Sequence, residues 1–215
     1  MAKIRVLLAD DHETVRHGLK LLIDGQGDME VIGEAGDGRA AVERAGSLKP
    51  HVAVVDVSMP GMNGLAATKA IRESTPGTAV VALTRYDDEA YVQALLNAGA
   101  VGYVLKQSPS SELVDAVRAA ASGHRHLDRR LAARVAGTIL SSRQRRAAPP
   151  AITDRESEVL RLMAVGHSNK EIAATLDLSV KTVEVHKAKA MRKLGLAGRT
   201  DVVRYALLQG WLRDP

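Results

Sequence analysis

Five short, continuously apolar segments alternate with segments of helical spacing along the first half of the chain. The apolar segments are rich in β-branched residues and cover positions 4–9, 29–34, 51–57, 78–83 and 101–105. Runs that are apolar throughout are typical of strands that helices cover on both faces of a parallel sheet. Between these runs, residues such as Val15, Leu19 and Leu22 recur at helical spacing. The pattern predicts a doubly wound α/β domain with a five-stranded parallel sheet, (βα)5, over residues 1–122.

Length and charge favour a second domain with a different partner. A chain of 215 residues is somewhat long for one domain. Residues 1–121 carry 12 Lys+Arg against 16 Asp+Glu, residues 122–150 carry 7 against 1, and residues 151–215 carry 11 against 8. An acidic front half and a basic back half indicate that only the back half meets a polyanion.

Cysteine content and hydropathy exclude several classes of protein. The chain contains no cysteine, which excludes disulfides and thiolate metal sites and is typical of a reducing compartment. No stretch approaches the roughly 18 consecutive apolar residues of a membrane helix, and the chain starts with a strand pattern rather than a signal peptide. We therefore expect a cytoplasmic protein without a membrane partner.

The character of the sequence changes after residue 122. Residues 123–148 are rich in Arg, Ala and Ser, which predicts a basic, partly helical linker. Residues 149–215 have the spacing of four short helices, and the middle pair with its short turn predicts an all-α helix-turn-helix domain. Two helix starts show the pattern of a capping box, Thr153 with Glu156 and Ser168 with Glu171.

Polar side chains follow four of the predicted strands. They are Asp10 and Asp11 after the first strand, Asp56 at the end of the third, Thr84 after the fourth and Lys106 after the fifth. In an open parallel sheet, ligands bind at the carboxyl ends of the strands near the topological switch point. We expect three carboxylates, a hydroxyl group and an ammonium group to converge at this edge.

The chemistry of these groups indicates phosphoryl transfer. An ionised carboxylate at the end of a buried strand, such as that of Asp56, is costly unless it is compensated. Clustered carboxylates repel one another unless a hard cation joins them, and oxygen ligands of this kind suit Mg²⁺. With Mg²⁺ drawing charge from the cluster, Asp56 can act as a nucleophile toward a phosphoryl group. Lys106 and the hydroxyl group of Thr84 can then bind the phosphoryl oxygens.

Four segments around these positions, LLADDH, VVDVSMPGMNG, ALTRYDD and GYVLK, resemble the receiver domain of two-component response regulators. The resemblance covers residues 1–122 and implies that Asp56 accepts a phosphoryl group from a sensor histidine kinase. It also implies Mg²⁺ held by Asp11, Asp56 and the backbone carbonyl group of Ser58, with Asp10 acting mainly through water.

Two further positions bear on this resemblance. Tyr103 matches the switch aromatic of the family, whose ring turns inward as Thr84 moves onto the phosphoryl group; ordinary packing is the alternative for this side chain. Arg85 stands where receiver domains generally carry a small residue, which predicts narrower access to the site and slower charging by small phosphodonors.

The C-terminal segment LSVKTVEVHKAKAMRKLG and its neighbours resemble the LuxR-type helix-turn-helix of NarL/FixJ-type regulators, over about residues 149–213. At about 100° per residue, Val183, Ala190 and Leu194 share one helix face with Val180 nearby, and we expect this face to pack inward. The opposite face carries lysine, arginine and small residues, as expected of a helix in the major groove of DNA.

We divide the predicted DNA-binding residues by their chemistry. The candidates for phosphate contacts are Lys170, Lys189 and Arg192. The candidates for base edges are Glu184, Val185 and Ala188, and the same outer surface includes Lys181 and Thr182. Glu184 stands where some members of the family have a lysine, so no base preference carries over from them.

A recognition unit of this size predicts a homodimer on paired half-sites of double-stranded promoter DNA. The resemblance implies that the last helix forms the dimer face, whereas core packing explains the same residues equally well. These residues are Val202, Val203, Tyr205, Ala206 and Leu207.

Taken together, these patterns predict a phosphorylation-controlled transcriptional regulator and not an enzyme. One alternative is a DNA-binding protein whose receiver domain serves only as an interaction module. The other is an enzyme, and two features oppose it. An aspartyl phosphohydrolase usually has a second acid two residues after its nucleophile, where this chain has Ser58. Gly33, Gly36 and Gly38 do not form the G-x-G-x-x-G pattern of a dinucleotide site.

Overall fold

Six parallel strands form one sheet in the first of the two units into which contacts divide the chain, Met1–Ser142 and Arg143–Pro215. The structure is a computed structural model that describes residues 3–85, 89–128, 152–208 and 211–212. The strands are β1 (Ile4–Ala9), β2 (Met29–Ala35), β3 (Val52–Asp56), β4 (Ala79–Thr84), β5 (Gly102–Leu105) and β6 (His126–Leu127). The helices in the described part of this unit are α1 (Glu13–Asp24), α2 (Gly38–Leu48), α3 (Gly64–Ser74), α4 (Glu89–Asn97) and α5 (Ser110–Ala121).

Both faces of the sheet are covered, which explains why its strands are apolar throughout. In β1, Val6 and Leu8 belong to a core cluster that includes residues of α1 and α5. Leu7 and Ala9 belong to a second cluster, with residues of α2 and α3. Because successive side chains of a strand point to opposite faces, a strand between two helical layers buries every side chain. The predicted doubly wound fold is confirmed.

The strand order places the candidate site. The order is β2-β1-β3-β4-β5-β6, so the chain reverses direction across the sheet between β1 and β3. All pairs are parallel, so the carboxyl ends of the strands lie at one edge. The switch point therefore lies between the strands that lead to Asp10 and Asp56.

The structure adds a sixth strand within the segment that the sequence assigns to the linker. His126 donates its backbone N–H to the carbonyl group of Val101, and Asp128 donates to that of Tyr103. The buried carboxylate of Asp128 accepts a hydrogen bond from the hydroxyl group of Ser108. The short strand thus extends the sheet by pairing with β5, and a side chain after it fastens the loop that follows β5.

The described residues of the second unit form four helices, as predicted. They are α6 (Asp154–Val165), α7 (Asn169–Leu176), α8 (Val180–Leu194) and α9 (Arg199–Leu208). Both predicted capping boxes are present, because each Ser or Thr side chain accepts from the backbone of the glutamate, whose carboxylate accepts in return. The core of this unit includes Val159, Leu160, Ile172 and Val183.

The single tryptophan, Trp211, belongs to the second unit and packs against its core. Its ring meets that of Tyr205 edge to face at 5.4 Å between centroids. The guanidinium group of Arg161 lies 5.5 Å from the centroid of the Trp211 ring. Trp211 fluorescence therefore reports the unfolding of the second unit alone.

Two glycines provide a matched test of packing near the candidate site. A Cβ atom at Gly64, the first residue of α3, would lie 2.1 Å from the backbone oxygen of Asp56, whereas a Cβ at Gly46 in α2 meets nothing within 4 Å. We expect Gly64→Ala to lower the free energy of unfolding of the first unit by about 1–3 kcal/mol through forced backbone shifts. We expect Gly46→Ala to raise it by about 0.5–1 kcal/mol, because alanine favours a helix interior. Urea unfolding followed by circular dichroism, with Trp211 fluorescence marking the second unit, checks both changes; a stable Gly64→Ala variant would contradict the close approach.

Candidate functional site

Three carboxylates meet at the carboxyl ends of β1 and β3. Asp10 and Asp11 follow β1, and Asp56 is the last residue of β3. Asp10 and Asp56 are each only 1 % exposed. Their proximity follows from the strand order, because β1 and β3 pair directly and both strands end at this edge. The predicted convergence of these acids is thus observed.

The ammonium group of Lys106 lies between the two buried acids. Lys106 follows β5, and its Nζ donates to Oδ2 of Asp10 at 2.8 Å and to Oδ2 of Asp56 at 2.7 Å. Its backbone N–H donates to the carbonyl group of Thr84 at 2.7 Å, which holds the residue beside the end of β4. One ammonium group therefore compensates two carboxylates. The sequence predicts only that Lys106 binds phosphoryl oxygens and does not predict this bridge.

Burial and pairing act in opposite directions on these groups. Burial raises the pKa of the Asp56 carboxyl group above its ordinary value, and the bond from Lys106 only partly offsets this effect. Burial alone would lower the pKa of Lys106, but its bonds to Asp10 and Asp56 outweigh burial and hold that pKa above its usual value. Lys106 therefore stays charged, and Asp56 depends on it to remain ionised.

The acids form a group that suits a divalent cation. Asp10, Asp11, His12 and Asp56 each offer one ligand atom, and these atoms lie within 4.8 Å of one another. Among the described side chains, Oδ1 of Asp11 is the buried polar atom that lacks a hydrogen-bond partner. A buried oxygen without a partner is costly, and an oxygen-preferring cation would satisfy it. The donor set therefore fits Mg²⁺ at this edge.

Sequence reasoning missed one residue of this group. His12 follows the two aspartates directly, and its Nδ1 lies 2.9 Å from Oδ1 of Asp11. The signal was available in the segment Asp10-Asp11-His12, because consecutive residues at a strand end share one edge of the sheet.

The other predicted residues of this site lie on or directly after β3, β4 and β5. Ser58 donates its backbone N–H to Oδ1 of Asp56 at 3.3 Å. Thr84, the last residue of β4, and Tyr103, the second residue of β5, are fully buried. Arg85, next to Thr84, is exposed.

Helix α8 packs one face against the core of the second unit and leaves the other face exposed. Ser179 caps its start by accepting from the N–H of Thr182. Val183 and Ala190 are fully buried on its inner face, as predicted. The prediction that Val180 packs inward is wrong: its side chain is 38 % exposed. At about 100° per residue it lies about 60° around the helix from the buried Val183, at the margin of the inner face.

The outer face of α8 is open to solvent. Asn169 of α7 donates to the carboxylate of Glu184 at 3.4 Å, which links the two helices across their turn. The side chain of Thr182 is partly buried and its hydroxyl group is 2.8 Å from that of Ser179. The exposed members of the predicted DNA-binding set are Lys170, Lys181, Glu184, Val185, Ala188, Lys189 and Arg192.

One buried glutamate ties α6 to α8. Oε2 of Glu156 accepts from the N–H of Thr153 at 2.8 Å and from Nζ of Lys193 at 2.7 Å. These bonds, with that from Lys193 the stronger influence, hold the pKa of Glu156 below its usual value. The same carboxylate therefore completes a capping box and anchors the last turn of α8.

The sequence left two roles open for the residues of α9, a dimer face and core packing, and their burial differs. Val202 and Ala206 are fully buried in the core of the second unit. Val203, Tyr205 and Leu207 are partly buried. Core packing therefore explains the first pair, and the remaining three leave apolar surface on α9.

No helix among the described residues is long and apolar enough to cross a membrane.

Family comparisons cover both units. A family model described as "Response regulator receiver domain" matches residues 6–118. A second, described as "Bacterial regulatory proteins, luxR family", matches residues 150–206. The oxygen regulatory protein NreC of Staphylococcus aureus (strain MRSA252) is 40 % identical over 210 residues, which cover 95 % of this chain and 97 % of that protein.

Two solved structures of response regulators match nearly the whole chain. A complex of the two-component response regulator RcsB with DNA has a TM-score of 0.65 and 31 % identity, covering 94 % of this chain and 97 % of that chain. The response regulator ChrA of a heme-sensing two-component system has a TM-score of 0.54 and 36 % identity, covering 99 % of this chain and 100 % of that chain.

Lys106 allows a direct test of charge compensation. Lys106→Met leaves the buried carboxylates of Asp10 and Asp56 without a counter-charge, so we expect the first unit to lose about 3 kcal/mol of unfolding free energy at neutral pH. The loss should shrink as the pH falls, because the folded state then gains a proton on a carboxyl group whose pKa is raised. The control is Lys69→Met, whose 70 % exposed side chain lies 4.0 Å from Glu73. Urea unfolding followed by circular dichroism measures both; equal stability of the two variants would contradict the bridging role.

Glu156 generates a pH dependence in the second unit. Because its pKa is lowered on folding, its contribution is fully present above its unfolded pKa of about 4.3 and is lost as the pH falls through the lower, folded value. We expect Glu156→Gln to be less stable than wild type at neutral pH and to lose less stability on acidification. Urea unfolding monitored by Trp211 fluorescence at several pH values checks this.

The matched control is Glu158→Gln on the same helix, because Glu158 is half-exposed and pairs only with Arg155 among the described ion pairs. This variant should follow the wild-type pH profile closely. A Glu156→Gln profile parallel to that of wild type would show that the Lys193 contact adds no pH-dependent stability.

Proposed function

The chain belongs to the response regulators that combine a receiver domain with a LuxR-type DNA-binding domain, and we propose that phosphorylation of Asp56 controls its binding to promoter DNA. The observation that carries the proposal is the buried carboxylate of Asp56 in contact with Lys106 at the switch point of the sheet. A phosphoryl group that arrives there meets a nucleophile, a cation and a hydroxyl group.

The residues of the first unit suit a transfer from a phosphohistidine. A carboxylate oxygen of Asp56 attacks phosphorus, the bond from phosphorus to the histidine nitrogen of the donor breaks, and the imidazole leaves with its electron pair and takes up a proton. Lys106 can turn from the carboxylate to a phosphoryl oxygen, which compensates the new charge. Partners in this step are a sensor histidine kinase and its phosphohistidine, the donor that the family uses.

We assign the divalent cation to Asp10, Asp11 and Asp56, with the backbone carbonyl group of Ser58 as a further ligand. Mg²⁺ bound there supplies positive charge to the oxygens of the transferring group. Oδ1 of Asp11 supports this assignment, because it is a buried oxygen without a hydrogen-bond partner among the described residues. Lys106 and the cation would then share the compensation of the carboxylates.

Thr84 and Tyr103 are the residues that would change position when Asp56 is phosphorylated. Both are buried on neighbouring strands, and residue 84 of β4 pairs with Leu105, next to Lys106. A shift of Thr84 toward the phosphoryl group would change the space beside Tyr103. Such a switch works only if the phosphorylated site stabilises one of two receiver states more than the other.

The second unit supplies the output. The exposed cations Lys170, Lys189 and Arg192 suit phosphate contacts, and the exposed Glu184, Val185 and Ala188 suit base edges in the major groove. DNA is the partner in the solved RcsB complex. A homodimer on paired half-sites would raise the specificity of so short a helix, and the apolar surface left on α9 is one candidate for its contact. A regulator that binds chromosomal DNA is located in the bacterial cytoplasm.

The receiver site needs no turnover for this function. We expect only slow self-dephosphorylation, since the site holds Ser58 where an aspartyl phosphohydrolase usually places a second acid. Catalytic turnover of a generic phosphoester would contradict this part of the proposal.

Asp56→Asn separates phosphorylation control from constitutive DNA binding. With a phosphodonor and Mg²⁺, we expect the wild-type chain to bind its selected genomic fragments about 5–150-fold more tightly, the usual range of allosteric coupling. The asparagine variant lacks the nucleophile and should show the unphosphorylated affinity under both conditions. Sequencing of bound genomic DNA identifies the fragments, and titration measures the affinities.

Asp115→Asn is the matched control, because Asp115 is an exposed carboxylate on α5. It should respond to the phosphodonor as the wild type does. If Asp56→Asn and wild type bind DNA alike with and without donor, the receiver is an interaction module and the proposed control is wrong.

A further inference from the structure

The imidazole of His12 reaches into the acid cluster. Its Nδ1 lies 2.9 Å from Oδ1 of Asp11 and 3.5 Å from Oδ1 of Asp10. The backbone N–H of the same residue donates to Oδ1 of Asp10 at 2.9 Å. His12 is therefore fixed to the cluster by its backbone, while its side chain, 51 % exposed, can adjust.

The distance between His12 and Asp11 suits two different arrangements. Nδ1 of His12 and Oδ1 of Asp11 are 2.9 Å apart, which is close enough for an ion pair when the imidazole is protonated. The same separation also suits two neighbouring ligands of one ion. Neighbouring ligands of an octahedral ion with bonds of 2.0–2.1 Å are about 3.0 Å apart.

We propose that His12 is a nitrogen ligand of the cation site and makes that site prefer Mn²⁺ over Mg²⁺. This inference rests on the proposed function, because it concerns the same cation site. The oxygen ligands of Asp11 and Asp56 suit both ions, whereas an imidazole favours transition metals over Mg²⁺. The residue that follows the two aspartates thus sets which divalent ion supports the phosphoryl chemistry.

The side chain of His12 does not cap the start of α1. His12 is the N-cap residue of α1, but its side chain makes no capping hydrogen bond. Its removal should therefore leave the start of α1 intact. A plain ion pair with Asp11 is the competing explanation; it would stabilise the empty site and would give no preference between ions.

The test uses Mn²⁺ and Mg²⁺ with the full-length chain, wild type and His12→Ala, at about pH 8, where ordinary imidazoles are neutral. Calorimetric titration should show that His12→Ala weakens Mn²⁺ binding about tenfold and leaves Mg²⁺ binding within about twofold. Pulsed electron paramagnetic resonance of bound Mn²⁺ should show coupling to an imidazole ¹⁴N nucleus in wild type, and the coupling should disappear in His12→Ala.

His17→Ala is the matched control, because His17 is an exposed histidine on α1; it should change neither affinity nor the nitrogen coupling. Equal Mn²⁺ affinity in wild type and His12→Ala, without nitrogen coupling, would overturn the inference and leave the proposed cation site intact. Failure of wild type to bind either ion would overturn both.

Discussion

An ammonium group held between two buried carboxylates is the contact on which the first unit depends. Lys106 reaches Asp10 and Asp56 at 2.8 and 2.7 Å, and both acids sit at the ends of strands that are otherwise apolar. Neither carboxylate could stay charged there alone, since burial works against the ionised form. The strand order makes the contact possible, because β1 and β3 are neighbours and β5 ends at the same edge. The ion pair with Lys106 is close enough to keep Asp56 ionised. The side chain of Lys106 is partly exposed, so it can move to a new partner.

The second unit also contains a buried carboxylate whose charge must be compensated, that of Glu156. Glu156 is buried, yet it accepts from the backbone of Thr153 and from Lys193, so its charge is compensated from two sides. The first bond fixes the start of α6 and the second fixes the end of α8. The inner face of α8 is thereby held against the core by Val183 and Ala190, and its outer face remains free for a partner. A helix that reads DNA needs this rigidity, because base contacts require fixed positions.

Much of this architecture could be predicted from the sequence, because it depends on local patterns. Continuous apolar runs gave the parallel sheet, and Ser/Thr-x-x-Glu spacing gave both capping boxes. The acids and Lys106 were predictable because strand ends share an edge. The strand at His126–Leu127 was not predictable, since two residues in an arginine- and histidine-rich segment show no periodicity and pair only because β5 offers a free edge. The exposure of Val180 also depends on tertiary geometry, which spacing along the chain does not reveal.

Phosphorylation of Asp56 would leave a product that chemistry can mark. Borohydride reduces an acyl phosphate to an alcohol with release of phosphate, and so leaves a permanent mark on the acceptor side chain. The wild-type chain should be treated with a phosphodonor and Mg²⁺, reduced with borohydride and sequenced by tandem mass spectrometry. We expect the reduced residue at Asp56 alone, and only when the donor is present. A mark at Asp10 or Asp11, or no mark under conditions that phosphorylate a control receiver domain, would contradict it.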